Sequence, residues 1–547
     1  ARFFPIISWL GTEGGGHLLD ERALRERVDD LWAHGFNTIA INGLRHLSAS
    51  PTNNRARLLD YAARYAQSRG MAVTFEYEHL TNLSPTRPPT PCVFAPAYRE
   101  ELARGLAARF EVVRRYERAW SIKIIDEPTA SDATLDYCDL CRAEFQKRYG
   151  RPLRHRAEIP ADDLEGHRQL SQFVADYVAS GYQAIRQAAA EAHLPARLLL
   201  TYMSPGFGYS DPRSSLEDVL GWSRAADVID FDVYPYFYPT SQNIRMLQAH
   251  FCFAVQRAVA EHLGKPAGFY VELDDRNYPF QVNPVEASAE CAWTAVGQGC
   301  RYLNSFINTA FGTGTGARPE RWDHLGRELV RIRAAGPDLA RLHKAPAALA
   351  LYFPAAQWFS GGARVAPHYT YQLLLRAFGE CDIAHEQIAL ERGNFGSAKA
   401  LVLVGTTVIP DPAVALLAGF LASGGFILCD ETARLPAALE GQPRVIRLAG
   451  NLEKRFAEAA EGPVPAARAA LMAEVRAALA QTGLQAEACA DHEEVETDVL
   501  TGDGMTVLIA VNHAAVPVET AVRLRGRAEP LRLSLAARNG LLTRLAP

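Results

Sequence analysis

Along the first 335 or so residues the apolar positions switch between two periods. Short runs that are apolar almost throughout fall at residues 3–9, 38–42, 72–78, 122–127, 198–202, 228–234, 268–272 and 302–308. Between them lie longer segments, such as 21–34 and 54–70, in which apolar residues recur three and four apart and a glycine precedes the next run. Continuous apolar runs of this length predict strands buried on both faces, and the intervening period predicts amphipathic helices closed by a glycine cap. Eight successive strand–helix units in some 330 residues predict a (β/α)8 TIM barrel over 1–340.

The pattern then changes. Strand-like runs at 348–354, 400–405 and 424–429 alternate with helical patterns at 369–378 and 411–423, which predicts a Rossmann-like α/β domain over 345–488. Residues 457–480 are alanine-rich and read as helix. From Val495 onward, short alternating runs at 495–500, 506–512 and 520–524 and a last one near Leu531 are separated by turn residues such as 501–504. They predict a small antiparallel β domain over 489–547.

Chemistry gathers at one end of the barrel runs. Trp9, Asn42, Glu76, Glu78, Asp126, Glu127, Tyr202, Asp232, Tyr234, Tyr236, Glu272, Asn304 and Asn308 fall at or just past C-terminal ends, the edge where such barrels keep their active sites. The fourth run, Ile-Lys-Ile-Ile-Asp-Glu-Pro-Thr at 122–129, delivers Asp126 and Glu127 and is stopped by a proline. The seventh delivers Glu272, with Asp274 and Asp275 as competitors in the loop behind it. Two opposed carboxyl groups are the minimum equipment for cleaving a glycosidic bond. The blander alternatives are a helix cap for Glu127, a cap or salt bridge for Asp126 and a loop salt bridge for Glu272. Asp232, Tyr234 and Tyr236 lie in an aromatic-rich strand end suited to stacking on a sugar face. Trp9, Asn42, Glu76, Glu78 and His79 either bind sugar hydroxyls or fill the barrel mouth. Trp358 either closes the site from the second domain or packs within it.

A net charge of −5 over 547 residues, with no long basic run, argues against nucleic acid or an anionic membrane as partner. No apolar stretch is long enough for a membrane span, and no signal peptide is expected. Nine scattered cysteines, an odd number, favour reduced thiols and a cytoplasmic setting.

Residues 136–150, Asp-Tyr-Cys-Asp-Leu-Cys-Arg-Ala-Glu-Phe-Gln-Lys-Arg-Tyr-Gly, follow the Asp126–Glu127 run. They look like the Cys-Tyr-Cys-x-x-Cys-x-x-x-Phe segment behind the acid/base strand of family 42 glycoside hydrolases, the β-galactosidase-like members of the clan A retaining glycosidases. The stretches around Gly424 and 502–513 look like that family's second and third domains, so the chain resembles a distant relative along nearly its whole length. The resemblance implies a retaining, exo-acting β-glycosidase of small oligosaccharides or glycosides. Glu127 would be acid/base and Glu272 nucleophile, their carboxyls roughly 5–5.5 Å apart. It implies no catalytic cofactor, a structural zinc on Cys92, Cys138 and Cys141 with Asp136 at the remaining family position or else metal-free thiols, and a homo-oligomer, a trimer in the family. The clan's usual asparagine before the acid/base is Asp126 here, which accepts hydrogen bonds but does not donate them when ionised. Two rivals stand beside this reading: substrate-assisted hydrolysis of 2-acetamido sugars by the Asp126–Glu127 pair, and a non-catalytic sugar-binding protein on a degenerate barrel. The second domain is similar to glutamine amidotransferase folds but lacks a cysteine on a sharp elbow, which argues for assembly rather than that activity.

Overall fold

The computed structural model describes residues 3–10, 20–42, 44–47, 54–76, 84–86, 88–128, 130–203, 216–232, 246–272, 284–306, 319–360, 367–461 and 465–545. Eight parallel strands close into a barrel: β1 (Ile6–Trp9), β2 (Thr38–Asn42), β3 (Ala72–Glu76), β4 (Ala119–Asp126), β5 (Arg197–Met203), β6 (Val228–Asp232), β7 (Ala267–Glu272) and β8 (Tyr302–Phe306). Closure runs through β1 and β8, with Ile6 opposite Leu303 and Ser8 opposite Ser305. Helices follow the strands because their caps are written locally. Asp20 accepts the Ala23 amide at 2.8 Å to start helix Glu21–Ala33. Gly264, at φ 65°, ends helix Leu247–Leu263 in the left-handed region where a side chain would be strained.

Side-chain alternation sorts every strand into an outward and an inward set. The outward set packs on the helices in the largest apolar core. The inward set includes Ile7, Trp9, Ala40, Ala72, Trp120, Leu199, Val228, Tyr270 and Tyr302, so the barrel is filled rather than hollow.

Beyond the barrel lies β9 (His343–Lys344). A five-stranded parallel sheet follows in the order β11-β10-β12-β13-β14, from β10 (Leu349–Phe353), β11 (Asp382–His385), β12 (Ala400–Leu403), β13 (Phe426–Cys429) and β14 (Val445–Arg447). Beyond these are β15 (Ala488–Ala490), β16 (Val495–Gly502), β17 (Met505–Asn512), β18 (Val518–Leu524), β19 (Leu531–Leu535) and β20 (Gly540–Leu545). They form two antiparallel sheets, β15-β18-β19 and β20-β17-β16-β9. Strand β9 therefore belongs to the C-terminal sheet, with Lys344 opposite Leu500. The nine cysteines are all free thiols. No described helix is long and apolar enough to cross a membrane.

Candidate active site

At the C-terminal edge of the barrel the fourth strand departs from regularity. Its register against β5 slips between Lys123 and Ile125, a bulge that leaves Asp126 level with Thr201. Glu127 then adopts φ 44° while its amide donates to the Thr201 carbonyl at 3.0 Å. A left-handed glutamate costs on the order of 1 kcal/mol, and bulges and such strained residues collect at functional sites. The turn also breaks the alternation that would otherwise send consecutive residues to opposite faces, so Glu127 sits partly exposed at the rim. Strand β7 ends on Glu272, opposite Phe306 of β8. Of Asp126 and Glu272 the backbone is described but not the side chain.

One layer down, β4 and β7 touch. Lys123 Nζ donates to Tyr270 Oη at 2.7 Å and forms an ion pair with Glu76 Oε2 at 2.6 Å, both members fully buried. The ammonium also lies 5.2 Å from the ring centres of Trp9 and Tyr270, within cation–π range. Lys123 was not anticipated from the sequence; its signal was a lone cation inside an otherwise apolar run. Asp230 and Asn304 lie on inward positions of β6 and β8 and are fully buried. Among the described residues neither the Asn304 amide nor the Thr201 hydroxyl has a hydrogen-bond partner. Burial, helped by Asp230, lifts the Tyr302 phenol well above its ordinary pKa.

Several sequence-predicted residues land differently. Tyr202 is a correction. It is on the outward parity of β5, completely buried, its hydroxyl 2.9 Å from Ser223 Oγ and its ring stacked on Trp222 and Phe231, so it packs the barrel against its helices. Glu76 is a second correction: its partner is Lys123 beneath the rim, with no surface left for a sugar hydroxyl. Trp9 is 2% exposed and meets Tyr270 edge-on at 6.5 Å, which fills the barrel. Trp358 sits in helix Ala355–Phe359 against Phe353 at 5.1 Å, a packing role. Asn42 is partly exposed at the end of β2, and Asp232 is 8% exposed at the end of β6. Glu78, His79, Tyr234, Tyr236, Asp274, Asp275 and Asn308 lie outside the described residues.

Beside the rim, the loops after β3 and β4 bring Cys92, Asp136, Cys138 and Cys141 together, their donor atoms all within 4.8 Å of one another. Cys92 Sγ is 3.7 Å from Cys141 Sγ, and the Cys141 thiol donates to Asp136 Oδ1 at 3.0 Å. A tetrahedral zinc with Zn–S bonds of about 2.3 Å holds its sulfurs about 3.8 Å apart, so this donor set fits the metal. The hydrogen bond from Cys141 lowers the Cys92 thiol to about 6 despite burial. Burial works against the Asp136 charge, but the bonds from Cys141 and Cys138 outweigh it and its pKa falls. At the opposite end of the barrel a cavity of about 360 Å³ is bordered by Trp120, Arg197, Lys265 and Arg301. Lys265 and Arg301 already donate to backbone carbonyls there.

No protein-family model matches the sequence, and no curated protein matches it. Solved structures do. A catalytic mutant of Gan42B, a GH42 beta-galactosidase from G. stearothermophilus, superposes with a TM-score of 0.73 at 11% identity, over 100% of this chain and 98% of that one. The beta-galactosidase from Bacillus circulans sp. alkalophilus gives 0.70 at 12% identity, over 100% of both chains. The alpha-L-fucosidase isoenzyme 2 from Paenibacillus thiaminolyticus gives 0.61 at 13% identity, over 98% of each. The chain is thus a distant structural relative of the GH42 β-galactosidases, sharing their fold from end to end. Identity this low speaks to fold alone.

Proposed function

We propose that the chain is a retaining, exo-acting β-glycosidase of small oligosaccharides or glycosides. Glu272 attacks the anomeric carbon, Glu127 protonates the departing glycosidic oxygen, and Glu127 then deprotonates the water that hydrolyses the glycosyl-enzyme. The observation that carries this reading is the Lys123–Tyr270 contact. Tyr270 is two residues below Glu272 on the same face of β7, and Lys123 lies four below Glu127 on β4, so the two strands that end in the candidate carboxylates already meet across the barrel. The strained backbone at Glu127 supports the same edge as the working one. Asp126 beside Glu127 would disfavour a second negative charge and keep the acid protonated. A zinc on Cys92, Asp136, Cys138 and Cys141 would be structural, tying together the segments that follow β3 and β4. Such an enzyme would work as a homo-oligomer.

A panel of aryl β-glycosides with azide tests the pairing. With Glu272→Ala, azide should restore turnover and give the inverted glycosyl azide; with Glu127→Ala it should give the retained one. Full activity in Glu272→Ala would discard the covalent intermediate and favour the substrate-assisted route through Asp126. Saturable binding with no turnover of any glycoside by the wild-type chain would favour a binding protein.

A further inference from the structure

A second polar cluster is buried outside the barrel wall, where the barrel, the parallel sheet's helices and the C-terminal sheet meet. His250 comes from the first turn of helix Leu247–Leu263, Glu496 from β16, and His513 directly follows β17. Their side chains are 1%, 7% and 5% exposed. Each imidazole aims Nε2 at the same carboxylate oxygen: His513 Nε2 is 3.1 Å from Glu496 Oε2, and His250 Nε2 is bonded to it as well. All three donor atoms lie within 4.8 Å of one another.

The far side of each ring is also held. His513 Nδ1 is 2.9 Å from Glu290 Oε1, and His250 Nδ1 is bonded to the side-chain amide of Gln372. Gln298 Nε2 donates to the other Glu496 oxygen at 2.7 Å. For His513 the outer carboxylate is the partner that metal-bound histidines use to fix ring orientation and tautomer; Gln372 approaches His250 Nδ1 with its amide nitrogen, so metal at His250 Nε2 requires that amide to turn over and accept the ring N–H through its oxygen. Ligands on a tetrahedral zinc, with bonds of about 2.0–2.1 Å, stand about 3.3–3.4 Å apart, close to the His513–Glu496 separation. A cavity of about 20 Å³ bordered by Gln372, Glu496 and His513 has room for one water beside two of the three ligands. Two imidazoles and one carboxylate suit zinc and its late first-row neighbours rather than magnesium or calcium.

We propose that His250, Glu496 and His513 bind a zinc-class divalent cation that ties the barrel to the C-terminal sheet. Its ligands are 246 and 17 residues apart in sequence, counting His250 to Glu496 and Glu496 to His513. Metal bound there closes contacts between units that the chain connects only through long segments, and it makes docking of those units dependent on the ion.

Cobalt titration of the full-length chain, stripped with chelator, tests this independently of any glycosidase activity. Cobalt on the thiols of Cys92, Cys138 and Cys141 gives intense sulfur-to-metal charge transfer; cobalt on two imidazoles and a carboxylate gives only weak visible bands. The expected result is an equivalent of cobalt with the second signature, absent in His513→Gln and bound about 10–100-fold more weakly in Glu290→Gln, which leaves all three ligands in place. Wild-type protein that shows thiolate-type bands alone, or no bands, overturns the proposal. So does a nitrogen/oxygen-type equivalent that survives unchanged in both His513→Gln and His250→Gln. Should those two variants fail to fold, the wild-type spectrum together with Glu290→Gln still decides.

Discussion

Among the described residues two lysine–carboxylate pairs are buried, and their surroundings differ. At the junction of the three units, Lys344 Nζ meets Asp498 at 2.5 Å and donates to Gln298 Oε1 at 3.1 Å. Gln298 in turn contacts Arg257 and Glu496, so each charge is shared over side chains from several elements. Inside the barrel, Lys123 and Glu76 are closed by Tyr270 and Trp9, while Asn304 and Thr201 in the same interior keep unused hydrogen-bonding atoms. Buried polar atoms normally find partners. The junction uses most of its polar atoms on itself, Asp498 Oδ2 excepted, whereas the barrel holds the Asn304 amide and the Thr201 hydroxyl in reserve under the edge where a polyhydroxylated ligand would arrive.

The sharpest way to break this contrast is at the rim. Glu127→Gln and Glu272→Gln should each lower kcat on an activated glycoside by roughly 10³-fold or more, with unfolding free energies within about 0.5 kcal/mol of wild type. Lys123→Met should destabilise by about 3–5 kcal/mol in urea unfolding, because it removes the buried cation that faces Glu76 in a dry interior; adding Glu76→Gln should recover most of the loss. Lys344→Met should cost less, about 2–3 kcal/mol, since the network around Gln298 can redistribute.

A charge nearer the surface gives a smaller effect with a defined pH course. His34 lies 3.1 Å from Asp30 and 3.3 Å from Asp323 and stacks near Trp322. Burial opposes its charge, but the bonds to Asp30 and Asp323 prevail and raise its pKa to about 9. The folded state therefore binds this proton more tightly than the unfolded chain, so the stability it adds is complete below about 6.5 and lost as pH rises through 9. Discounted for partial solvent access, the effect is on the order of 1–2 kcal/mol, and His34→Gln should flatten that part of the stability–pH curve. The smallest change is expected from Asn304→Leu: neutral or up to about 1 kcal/mol more stable, with a raised KM if the barrel's reserve serves the substrate.

The barrel was legible because a strand buried on both faces must be apolar throughout, and all eight runs became strands. Their starts were less certain: β1 begins at Ile6 rather than Phe3, which is 40% exposed. Strand ends alone could not say which face a side chain takes. Tyr202 was misplaced for that reason, since position 202 is outward when Leu199 is inward. For Glu76 the sequence left sugar binding and filling of the barrel mouth open, because its partner, Lys123, is hidden in an apolar run. The cysteine cluster could be anticipated from the resemblance, and Cys92 and Cys141 indeed lie 3.7 Å apart. The junction left no trace in local pattern: His250 meets Glu496 and His513 only after the barrel and the C-terminal sheet have docked. Strand β20 was not foreseen, and β9, a two-residue strand, is too short to leave a periodic signal.

That short strand has a topological consequence. Because His343 and Lys344 pair with Thr501 and Leu500, and the Ala345 amide donates to the Val499 carbonyl, the polypeptide touches the last sheet before it ever enters the parallel layer. The layer is therefore a loop-out between two strands of one sheet, however large. Excising it and splicing a short linker from Ala345 toward β16 would leave the sheet's strand order intact, and whether the spliced chain still folds would show how far the inserted layer is an accessory.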